Sequence, residues 1–441
     1  MNRRDQQILR IALPSILSNI TVPLLGLVDV AIMGHLGSAS YIGAIAIGGM
    51  AFNIIYWIFA FLRMGTSGMT AQALGKKDLT DVMHILIRST GIALLQALTL
   101  IVLQYPIRSG IFWIINPESN LLSLATTYFN IGIWGAPAVL GLYALTGWFI
   151  GMQDTRIPMT IAITQNIINI AASTCFVFVL HMKVEGVALG TVIAQYAGFL
   201  MALICWRLYY YRLRGYTERK GIWKKAELLR FYKVNHHIFL RTLCLVIVML
   251  YFTKAGTRQG EDILAANTLL MEFYLLFSYV MDGFANAGEA MSGRFIGAQH
   301  LAAFNETLRR LFFWSVLMVS GFTLFFLWGG NAFIRLLTNE QSVINVASEY
   351  LIWVVLVPAT GAMAFIFDGI FIGATSTRDM LLSTSLSALL FFILYFALRQ
   401  TLGNHGLWLA YDGYLLSRGI VLFLRLPAMK RNRFNILSQK N

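Results

Sequence analysis

Apolar residues fall in long uninterrupted runs along this chain, separated by short polar breaks. At roughly 20 residues per membrane-spanning helix, the runs predict about 12 spans: 8–34, 41–74, 82–104, 121–150, 157–181, 186–208, 234–256, 263–297, 303–329, 344–373, 379–400 and 405–427. Several exceed the length needed to cross a bilayer, as tilted or protruding helices do. No run alternates apolar and polar residues over the short stretches an outer-membrane barrel requires. The expected fold class is an all-α polytopic membrane protein.

Composition narrows the picture further. Of 441 residues, 58% are hydrophobic and 12% charged. Soluble domains carry about 25% charged residues, so this composition excludes a soluble enzyme, a disordered chain and a secreted disulfide scaffold. The longest polar stretch, near 207–233, is too short for an independent domain, so function must sit within the membrane. Cys175, Cys205 and Cys244 fall in apolar runs without CxxC spacing, which argues against a disulfide or zinc site. The basic start MNRRDQQILRIALPSIL lacks a small-residue cleavage site and reads as the first retained span.

The net charge of +14 reads as topology rather than nucleic-acid binding. With the N-terminus in the cytoplasm, about 25 of the 34 basic residues fall on the inner side. Arg108, Lys183, Lys254, Arg258, Arg335 and Arg399 fall outside. An even helix count returns the C-terminus to the cytoplasm. The segment RLYYYRLRGYTERKGIWKKAELLRFYK carries nine basic residues and separates two halves of six helices. The expected division is an N-lobe at 1–208, a basic loop at 209–233 and a C-lobe at 234–441. The halves repeat at an offset of 222: GWFIGMQDTR begins at Gly147 and GIFIGATSTR at Gly369, while Tyr128, Gly34 and Gly75 match Tyr350, Gly256 and Gly297. Six helices per repeat keep both halves in one orientation, as in many secondary transporters.

Several segments resemble the multidrug and toxic compound extrusion (MATE) transporters, in particular the DinF branch. They are SNITVPLLGLVDVAIMGHLG, FLRMGTSGMTAQALG, GWFIGMQDTR, NIINI, GVALGTVIAQY, YVMDGFANAGEAMSGRFIGA, FDGIFIGAT and NHGLWLA. The resemblance runs through both halves. It implies two pseudo-symmetric six-helix lobes in a V-shaped architecture. It also implies a secondary antiporter, not an enzyme, exporting lipophilic and often cationic compounds by alternating access against protons or sodium ions. No cofactor, metal or nucleic acid is expected. The partners are small lipophilic or cationic substrates and membrane lipids, the protein acts as a monomer, and its place is a bacterial inner membrane. A lipid-linked precursor flippase is the alternative.

Ionisable residues inside a membrane are costly and mark sites by default. Asp29 has no basic residue within a helical turn and matches the family's first-helix carboxylate. Its counterpart at the 222 offset is Tyr251, so the acid is not duplicated. Pro14 and Pro23 permit a kink in the same helix, and Pro14 matches the proline at which some relatives bend it. Relatives often show N-x-x-N-x-x-x-D on the fifth helix. Here Asn166 and Asn169 are followed by Ser173, so the second acid is missing. Leu142 stands where relatives carry an asparagine, Thr191 is retained, and Gln195 stands where some relatives have Glu. One carboxylate with amide and hydroxyl neighbours suits a proton better than sodium, which prefers several oxygen ligands; sodium stays open. In the C-lobe, Asp282, Glu289 and Asp368 fall in family-like motifs, with Arg63 and Arg241 as deep basic residues able to pair with some of them. Glu272 and Asp412 are expected in the outer half, either replacing the missing acid or pairing with Lys254. Met271, Phe273, Tyr274 and Tyr279 are candidates for a substrate cavity, and Trp113, Trp206 and Trp408 for interfacial anchors.

Overall fold

The computed structural model describes residues 2–34, 39–115, 119–217 and 221–434, and every regular element in them is helical. The side chains of 22–31, 33, 34, 39 and 120 also lie outside the described residues. Pro23 and Asp29 are therefore known only as positions on the first helix.

The elements are α1 (Arg3–Gly34), α2 (Ala39–Ile58), α3 (Phe61–Gly75), α4 (Leu79–Val102), α5 (Gln104–Ile115), α6 (Ser119–Gly132), α7 (Ala136–Gly151), α8 (Arg156–Thr174), α9 (Val184–Tyr209), α10 (Lys225–Thr257), α11 (Glu261–Gly297), α12 (Leu301–Leu337), α13 (Gln341–Gly373) and α14 (Thr377–Arg433). Among the described residues, ten stretches are long and apolar enough to cross a membrane. One joins α2 to α3, and another joins α6 to α7 through a 3-10 turn at Ile133–Gly135. Pro137, at the start of α7, has no backbone N–H to continue the helix. The 57 residues of α14 include Gly403 at φ 51° and ψ −123°, which breaks it into two crossings. With α1, the crossings among the described residues number twelve. The short helix α5 was not expected from the apolar runs; Tyr105 and Trp113 on it are exposed.

The 222-residue repeat is built into the backbone. Lys77 and Gln299 both adopt positive φ, at 59° and 54°, as do Gln153 and Thr375, at 66° and 50°. Each sits just past a helix end in the same hydrogen-bonded turn. After α3, the N–H groups of Lys77 and Asp78 donate to the carbonyls of Leu74 and Ala73; after α11, those of Gln299 and His300 donate to Ile296 and Phe295. This is the Schellman arrangement, which usually uses glycine. Close helix contacts repeat too. A Cβ added at Gly147 would strike the Arg63 carbonyl, and one at Gly369 would strike the Ala285 carbonyl. Gly151 lies in the same way over Ser67 and Thr70, and Gly373 over Glu289 and Ser292. Small residues let membrane helices approach at their backbones.

The chain forms two compact units, Met1–Ile16 with Phe231–Asn441, and Leu17–Arg230. The first unit thus takes in the start of α1. There Asp5 is buried, accepting a hydrogen bond from Trp314 Nε1 at 3.2 Å and facing Arg310 at 3.7 Å. Arg4 pairs with Glu306 at 3.0 Å and lies over the Phe295 ring. Beyond them Gly283 of α11 packs against Ala12 and Ile16, on either side of buried Pro14.

Candidate coupling sites

In the unit Leu17–Arg230, α8 and α9 form a polar seam. Asn166 Nδ2 donates to the Thr21 carbonyl of α1 at 2.8 Å, tying α8 to the helix that carries Asp29. One turn on, Asn169 Nδ2 donates to Thr191 Oγ1 at 3.0 Å, and that hydroxyl donates to the Val187 carbonyl at 3.0 Å. Asn169 and Ser173 are fully buried. Asn169 Oδ1 and Ser173 Oγ have no hydrogen-bond partner among the described residues, and neither does Gln195 Oε1 on α9. Gly190 lets α9 pass directly over Ser173. The structure therefore brings Asn166, Asn169, Ser173 and Thr191 onto one packed pair of helices. Unpaired buried oxygens cost free energy, so this seam is suited to accept a proton or a donor from outside the α8–α9 pair. Arg63, half-buried on α3, belongs to the same unit.

The other unit separates the acids into different environments. Asp368 on α13 is clamped between Arg241 of α10 and Arg418 of α14; Arg418 Nη2 donates to its Oδ2 at 2.5 Å, and Arg241 to the same oxygen. All three are buried. Arg418 also lies over the Tyr414 ring. A carboxylate shared by two guanidiniums acts as a brace between helices. Asp412 has no such partner. It is 4% exposed, its Oδ1 accepts from Thr360 Oγ1 at 3.2 Å, and its Oδ2 has no partner among the described residues. Thr360 sits just past Pro358, the proline inside α13.

Glu272 is exposed, Asp282 half-buried and Glu289 buried, all on α11. Asp282 and Glu289 each have interaction partners. Among the described residues Lys254, which is exposed, forms no ion pair with Glu272 or Asp412. Phe273 is fully buried against Phe326 and Phe333 and does not line an open cavity. Trp408 is no interfacial anchor: it is fully buried, and its Nε1 donates to Asn267 Oδ1 at 2.8 Å. Asn267 and Asn404 donate to each other at 2.8 and 2.9 Å beside the break at Gly403. The sequence signal for this cluster was NHGLWLA, whose asparagine is Asn404. Nothing in the sequence paired it with Asn267 or set Thr360 against Asp412.

Comparison with known proteins agrees with this architecture. The MatE family model matches twice, over residues 14–175 and 237–397, close to the 222-residue spacing of the repeat. "DNA damage-inducible protein F" of Escherichia coli K12 is 37% identical over 420 residues, covering 95% of this chain and 91% of that protein. "Probable multidrug resistance protein NorM" of Photorhabdus laumondii is 21% identical over 451 residues, covering 99% and 98%. Among solved structures, a MATE transporter in the bent conformation superposes with a TM-score of 0.86 at 18% identity, covering 98% and 97%. The Vibrio cholerae MATE transporter VcmN in its bent form gives 0.86 at 16% identity, covering 98% of each chain. With its twelve helical crossings and duplicated halves, this integral membrane protein belongs to the MatE family of multidrug efflux transporters, in the DinF branch.

Proposed function

We propose that this chain is a proton-coupled antiporter that exports lipophilic, often cationic compounds by alternating access. In this reading it works as a monomer in a bacterial inner membrane, with both termini in the cytoplasm and without a cofactor. The observation that carries the reading is the register between α1 and α8. The Asn166–Thr21 hydrogen bond sets the two helices side by side. Asp29 lies eight residues beyond Thr21, about 12 Å along the helix, and Ser173 seven beyond Asn166, about 10.5 Å. As first and fifth crossings, the two helices run in the same direction, so Asp29 and Ser173 share one level of the membrane. Ser173 Oγ lies near that level and Asn169 Oδ1 one turn before it, both without a hydrogen-bond partner among the described residues. They offer acceptors to a protonated carboxyl.

The neutrality of these neighbours favours a proton over sodium, because a hard cation prefers several oxygen ligands and charge balance. Asp412, buried and without a cation partner among the described residues, is the next candidate carrier. The flippase reading is weaker: two of the deep arginines that would hold a pyrophosphate, Arg241 and Arg418, are engaged by Asp368.

The test is ethidium efflux in energised inverted vesicles, driven by a pH gradient without sodium. Wild type should transport, and Asp29→Asn at equal expression should not. Activity retained in Asp29→Asn would move the coupling role to Asp412 or Glu272. Transport only with sodium would overturn the proton assignment. Failure to move any cation under either gradient would favour the flippase.

A further inference from the structure

A groove of about 550 Å³ opens on the unit Leu17–Arg230, between the first half of α4 and the last turns of α9. Its volume lies within the roughly 300–1,000 Å³ range of small-molecule sites. Leu86, Ile87 and Leu203 give it an apolar bed. Arg207, at the end of α9, and Arg214, in the short helical segment that follows, stand at its mouth. Both are exposed. Among the described residues neither forms an ion pair; Arg207 stacks over the Tyr211 ring. Trp206 and Thr90 also line the groove. Trp206 Nε1 and Thr90 Oγ1 are buried and have no hydrogen-bond partner among the described residues.

The nearby acid Asp154 is occupied. Its Oδ2 accepts from the Tyr210 hydroxyl at 3.1 Å, and its Oδ1 from the Arg156 N–H at 3.3 Å. Burial, with the adjacent Asp154 charge, pushes the Tyr210 hydroxyl up, so it remains a donor. Among the described residues the groove thus sets two exposed guanidiniums without an ion pair beside an apolar trough. Donors without acceptors recognise an anion, and the trough accepts a hydrocarbon chain. This end of α9 also leads into the segment with nine basic residues, on the side where anionic lipids draw Lys and Arg to the membrane.

We infer that the groove is a binding site for an anionic diacyl phospholipid. Its phosphate lies between Arg207 and Arg214, and one acyl chain runs along Leu86, Ile87 and Leu203. The occupant is a resident lipid rather than exported cargo, because the groove lies within one unit and its donors select negative charge.

The experiment is native mass spectrometry of the detergent-purified protein. It is titrated with palmitoyl-oleoyl phosphatidylglycerol and with phosphatidylcholine of the same chains. A basic residue near an anionic headgroup contributes about fivefold in affinity, so phosphatidylglycerol should bind about 25-fold more tightly. The Arg207→Gln/Arg214→Gln double variant should lose that preference while keeping its melting temperature. Glycerol phosphate at millimolar concentration should not displace the lipid. Equal binding of the two lipids would overturn the inference. So would an unchanged preference in the double variant, which would mean that Arg207 only offsets the terminal carbonyls of α9. Displacement by glycerol phosphate would make this a soluble-anion site and equally overturn it. If the double variant does not fold, Arg214→Gln alone is read: it lies outside the long helices and should cost about fivefold.

Discussion

Asp368 and Asp412 show how two carboxyls in one helical unit take different roles from their neighbours alone. Asp368 sits between two guanidiniums that reach it from α10 and α14, so the three helices are tied. Removing one partner of a buried ionic cluster leaves charge without compensation, at a cost of about 3–5 kcal/mol. Asp368→Asn should therefore sharply reduce the monodisperse fraction and lower the melting temperature in detergent. An unchanged melting profile would mean that Arg241 and Arg418 are compensated from elsewhere. Asp412 meets only the hydroxyl of Thr360, leaving one oxygen unpartnered among the described residues. Both residues read as intramembrane acids in the sequence. Arg241 and Arg418 lie 127 and 50 positions from Asp368, so only the packed structure tells brace from candidate carrier.

Helix ends carry the duplication most clearly. Of the five described residues with side chains that adopt a positive φ, four form two pairs 222 positions apart. Such a conformation costs an L residue roughly 1–2 kcal/mol relative to glycine. Lys77 is exposed, and its side chain makes no hydrogen bond or ion pair among the described residues. Lys77→Gly should therefore stabilise the protein by about 1 kcal/mol, read as a higher melting temperature with efflux unchanged. A lower melting temperature would mean that the Lys77 side chain holds the turn. Gln299 does not offer the same gain, because its Nε2 donates to the Ile296 and Arg433 carbonyls at 2.8 and 2.9 Å. Glycine pairs such as Gly147 and Gly369 were visible as sequence repeats. That both serve to admit a neighbouring carbonyl was not, because the neighbour comes from another helix.

At the scale of the whole molecule, the charge bias predicts orientation. A fluorescent protein fused after Asn441 should fold and fluoresce in the cytoplasm. Alkaline phosphatase inserted after Arg258, between α10 and α11, should be active, and the same enzyme inserted in 207–217 inactive. The opposite pattern would reverse the orientation and place the basic segment outside. It would also move the lipid groove to the other leaflet.

Length and apolarity of the runs were enough to determine the helical membrane class and the twelve crossings, because a bilayer demands that every backbone polar group be satisfied within a helix. The constant offset determined the duplication, and the spread of motifs determined the family. The sequence already separated 379–400 from 405–427; that the break rests on the backbone of Gly403, and that a 3-10 turn precedes α7, needed the tertiary structure, since one residue's dihedral angles leave little trace in an apolar run. It also decided that Trp408 is buried on Asn267 and that Asp368 is braced while Asp412 is not. Arg207 and Arg214, likewise, come to line one groove with α4 only once the helices are packed. Each of these depends on partners distant in sequence, and a hydrogen bond or ion pair inside a membrane is decided by which helix lies alongside.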